Sequence, residues 1–220
     1  MLPVAGSAVL GTAVGPAEGC VPRCCGPSRP GREEGERAVT AILITGNPGS
    51  GKSSLASELA RRGCAVIDGD DIAGWEKTSG EPATQPVPTP DDWWHSHRWV
   101  WSRSRVEAVI SERSSATRPL FVCGITVNQR DMLDLFDRVF LLTLDHRTQV
   151  ERLNAPSNAH RTAAARAQIL TGRPVFEAEM QAAGAIVLDG RQPTPILASR
   201  ILDDVDTRQA GTRANTRPPA

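Results

Sequence analysis

Short apolar runs alternate with helix-like periods along residues 39–205 of this chain. The run Val-Thr-Ala-Ile-Leu-Ile-Thr at 39–45 is β-branched and continuously apolar, which predicts a buried strand. Good helix formers follow at 53–60, with Leu55 and Leu59 four apart on one face. Residues 64–68 predict a second strand, and 81–90 form a proline-rich connector that cannot be helical. One long helix is then expected from near Asp91 and Asp92, where acidic residues suit an N-terminus. Trp99, Val106, Val109 and Ile110 recur along it at helical spacing. Pro119 ends it, and 120–123 predict a third strand. A brief helix over 131–136, a fourth strand over 138–144 and helices over 146–154 and 161–183 follow. A fifth strand over 185–189 and a helix over 195–205 complete the pattern. Strand–helix alternation of this kind predicts a three-layer α/β fold around a five-stranded parallel sheet.

Outside that core the pattern stops. Residues 1–37 are rich in Gly, Pro, Arg and Cys without a period and read as a disordered leader. Residues 207–220 read as a flexible polar tail, which leaves 38–206 as the folded domain.

Within the core, Gly46-Asn47-Pro48-Gly49-Ser50-Gly51-Lys52-Ser53 fits G-x-x-x-x-G-K-[ST] between a predicted strand and a predicted helix. Glycines free the backbone so that successive amides converge on one anion, and the helix start adds its positive dipole end. The pattern calls for Lys52 on the β- and γ-phosphates and the Ser53 hydroxyl on Mg²⁺, with Ser54 next in the helix. Of 25 basic residues only Lys52 and Lys77 are lysines, so a composition that favours arginine keeps a compact ammonium here. The motif implies ATP with Mg²⁺ as its ligands.

Composition narrows the partners. A formal net charge of zero without a basic block disfavours nucleic acid. No apolar stretch approaches the length of a membrane span, so no membrane is expected. Five cysteines (Cys20, Cys24, Cys25, Cys64, Cys123) fit neither a disulfide framework nor a metal cluster. Reduced thiols beside ATP chemistry point to the cytoplasm.

Further candidate chemistry gathers at the expected carboxyl ends of the strands, where ligands of parallel sheets bind. Asp68-Gly69-Asp70-Asp71 closes the second strand. Function is favoured over capping for Asp68 and Asp70, and capping for Asp71. Asn128 follows the third strand and serves either a polar acceptor or a turn. Residues 93–101 hold four of the five tryptophans, which either stack on a substrate or pack a subdomain, and Arg98 among them suits an anion.

The strand–loop–helix unit, the Asp68-Gly69-Asp70 strand end, Gly124 ending the third strand and Glu151-Arg152-Leu153 after the fourth together resemble the small P-loop kinases. Shikimate, gluconate and adenylate kinases belong to that group, and the resemblance covers residues 39–205. The broad class of small bacterial P-loop proteins labelled AAA family ATPases is similar too. The further helices and oligomer-contact arginines of a true AAA module are not evident. The kinase resemblance implies Asp68 on Mg²⁺, Asp70 on the acceptor, Arg152 over the adenine and the Gly190-Arg191-Gln192-Pro193 loop beside the base. It implies a short lid within 152–173, with Arg161, Arg166 or Arg173 in the charge cage, Arg161 first. It places 81–118, connector and Trp-rich helix, on the acceptor side, together with Gly124. A departure stands at Pro156, where adenylate kinases carry a second arginine, and no Walker-B aspartate lies on the third strand. The resulting expectation is a kinase acting on a small-molecule acceptor. The alternative is a nucleotide-dependent switch or ATPase that binds a protein partner.

Overall fold

The computed structural model describes residues 40–87, 90, 93–115, 117–158 and 161–215. The expected leader and the Asp91–Asp92 helix start lie outside those residues. Five strands carry the core: β1 (Ala41–Gly46), β2 (Ala65–Asp68), β6 (Leu120–Cys123), β7 (Arg138–Thr143) and β8 (Ile186–Asp189). They form one parallel sheet in the order β2-β6-β1-β7-β8, as the sequence predicts.

The two-residue period of β1 builds the layers. Ile42 and Ile44 point to one face, where α1 (Lys52–Arg61) and α7 (Thr194–Asn215) bring Leu55, Leu59, Leu197 and Ile201. Ala41 and Leu43 point to the other, under α4 (Arg103–Arg113) and the 3-10 helix Gln129–Leu135. Beside them α6 (Ala163–Ala182) seats Phe176 and Met180 on Leu141 of β7. Each fully buried leucine or isoleucine of these layers contributes roughly 1.5–3 kcal/mol. Pro174 lies inside α6, where it removes one backbone donor.

Two expectations fail. The long helix after the connector is instead α3 (Trp93–Ser96), then strand β5 (His97–Trp101), then α4. β5 pairs antiparallel with β3 (Ala73–Lys77), which pairs with β4 (Pro82–Ala83) in a second, three-stranded sheet. The aromatic and β-branched run Trp-Val-Trp prefers a pleated surface, while Val106, Val109 and Ile110 form the stripe of α4 alone. At the far end α7 continues to Asn215, so 207–215 are helical where a loose tail was expected. No proline interrupts those residues, and the helix runs on past Val205, its last buried residue among those described.

α2 (Gly69–Ile72) links β2 to β3. Trp101 locks the second sheet to the first. Its ring is 1% exposed and its indole N–H donates to the Gly69 carbonyl at 2.8 Å. The ring closes over Gly69 and Gly124, where a Cβ on Gly124 would stand 2.9 Å from the Gly69 Cα. Only glycine at both places lets the ends of β2 and β6 approach this closely.

Candidate active site

A cleft of about 890 Å³ opens at the carboxyl edge of the parallel sheet, with the loop after β1 as its floor. Gly49 (φ 83°) and Gly51 (φ 104°) take left-handed backbone that side chains disfavour, which turns the loop back onto the start of α1. Asn47, Pro48, Ser50, Ser53 and Ser54 border the cleft with them. The Lys52 ammonium donates to the carbonyls of Gly46 at 2.6 Å and Asn47 at 3.2 Å. Burial pulls its pKa down to about 8, against the attraction of Asp70 and Asp68.

α5 (His146–Leu153) braces this loop from the side. Arg152 donates to the carbonyls of Gly49 at 3.2 Å, Ser50 at 3.4 Å and Gly190 at 3.1 Å. It ties the loop after β1 to the loop after β8 while lining the cleft. Gly190 fits tightly, since a Cβ there would stand 2.5 Å from the Ser50 carbonyl oxygen. Gly190, Gln192 and Pro193 border the cleft as well. Arg191 is turned away onto Asp189 at 2.8 Å and Asp145 at 3.0 Å, because two carboxylates hold its guanidinium on the surface.

The opposite side carries the acidic pair. Asp68 and Asp70 both line the cleft at the end of β2. Asp68 is also the N-cap of α2, accepting the Asp70 amide at 3.0 Å, so capping falls to Asp68 and not to Asp71. The Asp70 carboxylate accepts the Trp99 indole N–H at 3.1 Å. Burial raises the Asp70 pKa, the Trp99 bond opposes the rise, and the neighbouring Asp68 adds to it. Arg161 lines the cleft and is attracted to Asp70, its pKa lowered by burial, while its Nε donates to Asn158 at 3.2 Å. The other two lid arginines are engaged with backbone carbonyls: Arg166 with that of Arg161 and Arg173 with that of Leu144.

Two expected acceptor contacts sit elsewhere. Arg98 pairs with Glu76 at 3.0 Å across the β3–β5 ladder, drawn outward by the opposite charge. Asn128 clasps the Trp101 backbone, accepting its N–H at 3.0 Å and donating to its carbonyl at 2.9 Å. It holds β5 in place and does not border the cleft. Gly124 does border it, with its steric role beneath Trp101. Of the tryptophans, Trp99 reaches the cleft. Trp75 lies 5.1 Å from it centroid to centroid, and Trp93 stacks on His97 at 3.5 Å.

Sequence reasoning passed over the far wall, made by Ile125, Val127, Ile169, Val175, Phe176 and Met180. Its signal was the apolar face of α6, which reads equally well as core.

The donor set suits a nucleotide phosphate chain: positive-φ glycines, a lysine ammonium and a helix start converge on one space. Among the described residues no group of three or more His, Cys, Asp or Glu could hold a metal by itself. Ser53 and Asp68, hard oxygen donors on the same cleft, suit Mg²⁺ shared with phosphate oxygens and water.

No protein-family model and no curated protein matches the chain. Solved structures do. Shikimate kinase from Acinetobacter baumannii, solved with shikimate, is similar with a TM-score of 0.52 and 18% identity, over 77% of this chain and 94% of that one. A sugar kinase from Janibacter is similar with a TM-score of 0.50 and 21% identity, over 79% and 98%. At such identities the likeness establishes the fold, a P-loop kinase fold. Among the described residues no helix is long and apolar enough to cross a membrane.

Proposed function

We propose, from this P-loop kinase fold, that the chain transfers the γ-phosphoryl group of ATP to a hydroxyl of a small-molecule acceptor. One observation carries the reading: Lys52, Asp70 and Arg161 line a single cleft of about 890 Å³ together with the anion loop.

Bound Mg·ATP supplies the phosphoryl donor and the metal charge. The amides of residues 46–53 hold the phosphates, and Arg152 keeps that loop against the Gly190 segment, beside which the base would lie. Ser53 and Asp68 would hold the Mg²⁺. Lys52 releases its two carbonyls and turns to the phosphates, where it offsets charge developing in transfer. Asp70, steadied by Trp99, orients the acceptor hydroxyl and accepts its proton as the acceptor oxygen bonds to phosphorus. The bridging oxygen of the departing ADP keeps the electron pair of the broken bond. Arg161, from the short segment between α5 and α6, neutralises the oxygens in flight. Closing that segment would exclude water, which competes for the phosphoryl group.

The test is ADP release from Mg·ATP with and without fractionated metabolite pools, beside the Lys52→Ala and Asp70→Asn variants. Stimulation by one fraction, abolished in Lys52→Ala and reduced about 10²–10⁴-fold in Asp70→Asn, is expected. Slow turnover indifferent to every fraction would favour a regulatory ATPase with a protein partner.

A further inference from the structure

The cleft divides into two chemically different halves. One is bounded by the loop after β1, Arg152 and the Gly190 segment, with its carbonyls and amides. The other lies between Asp70 and Trp99 on one side and α6 on the other. On the α6 side of that second half Val175 is exposed, and Ile169, Phe176 and Met180, largely buried, add only their edges to the lining along with Ile125 and Val127. Val175 stays 54% exposed there, one of the few large apolar side chains left in water among the described residues.

Cations near this half, among the described residues, are already engaged. Arg161 donates its Nε to Asn158 and serves the phosphoryl oxygens in the reading above, Arg130 stands 3.7 Å from Glu179, and Arg98 and Arg173 are held by Glu76 and the Leu144 carbonyl. Two carboxylates, Asp70 and Glu179, border the same space. An acceptor bearing a carboxylate would lose water, compete with those partners for a cation, and face like charge. An apolar body would instead gain by leaving water, beside a thioether that adapts to its shape.

We infer that the acceptor is an uncharged alcohol with an aryl or alkyl body. That body lies between α6 and the 125–127 segment, and its hydroxyl meets Asp70. This rests on the kinase reading above and names its substrate class; the phosphoryl step is the one already given, with an uncharged alcohol oxygen as the nucleophile.

Calorimetric titration of the full chain, saturated with Mg²⁺ and a non-hydrolysable ATP analogue, tests it with three probes. These are phenylpropanol, phenyllactate, which adds a carboxylate to a similar body, and gluconate, polar and acidic throughout. Phenylpropanol is expected to bind saturably and at least about tenfold more tightly than phenyllactate or gluconate. Val175→Asp, an exposed position whose folding is checked by its thermal transition, is expected to weaken phenylpropanol about tenfold. Tighter binding of either acid, absence of saturable phenylpropanol binding, or an unaffected Val175→Asp would overturn the inference. The preceding titration with the ATP analogue is read separately. Its failure in the wild-type chain would overturn the kinase reading itself, and the inference with it.

Discussion

Burial sets the charge of Lys52 before any ligand arrives. Desolvation brings its pKa to about 8, well below the ordinary 10.5, although Asp70 pulls the other way. Between those two values the unfolded chain binds more protons than the folded one. The cost of burying this ammonium therefore falls as pH rises through that window, and the folded state gains stability there. Ligand affinity has the opposite sign, because phosphates need the charged form. Affinity for a fluorescent ATP analogue, measured by titration from about pH 7 to about pH 9.5, is expected to fall as Lys52 deprotonates. Lys52→Met should be weaker throughout and lose that slope. Equal slopes in both proteins would remove Lys52 from the phosphate site. The lysine itself was legible in the sequence, because loop, cation and hydroxyl lie within eight consecutive positions. The partnering of Arg98 and Asn128 was not. Each is satisfied by a residue more than twenty positions away, on another element.

At the scale of elements the same distinction recurs. The five parallel strands announce themselves as continuous apolar runs, since both faces of such a sheet are covered. The second sheet gives no comparable signal. Ala73–Lys77 holds one strong strand former, Trp75, and becomes β3 by pairing with a strand about two dozen residues later. That pairing carries Trp99 into the cleft and its indole N–H onto Asp70. Removing the donor but keeping a ring, as in Trp99→Phe, leaves Asp70 with its burial and with Asp68 beside it. Its pKa must then rise further, and the ionised carboxylate is lost as pH falls, starting from a higher pH. The acidic limb of kcat/KM is therefore expected to move upward in Trp99→Phe, with the alkaline limb unmoved. An unmoved acidic limb would mean that Asp70 ionisation does not govern turnover.

For the whole molecule, the two halves of the cleft differ in how they are encoded. The phosphate half is one strand, one loop and one helix start, contiguous in sequence. The other half is assembled from the ends of β2 and β6, from the middle of β5 and from α6, joined only by folding. An apolar residue on α6 looks alike in sequence whether it faces core or cleft, so Phe176 and Val175 could not be told apart before their burial was known. In the proposed function these halves act together, the first holding a phosphoryl donor and the second an acceptor. Partition of label from γ-labelled ATP in the presence of metabolite pools tests that most directly. Label is expected in a phosphate monoester of an uncharged alcohol, absent in Lys52→Ala and much reduced in Asp70→Asn. Label appearing only as inorganic phosphate, whatever pool is supplied, would contradict it.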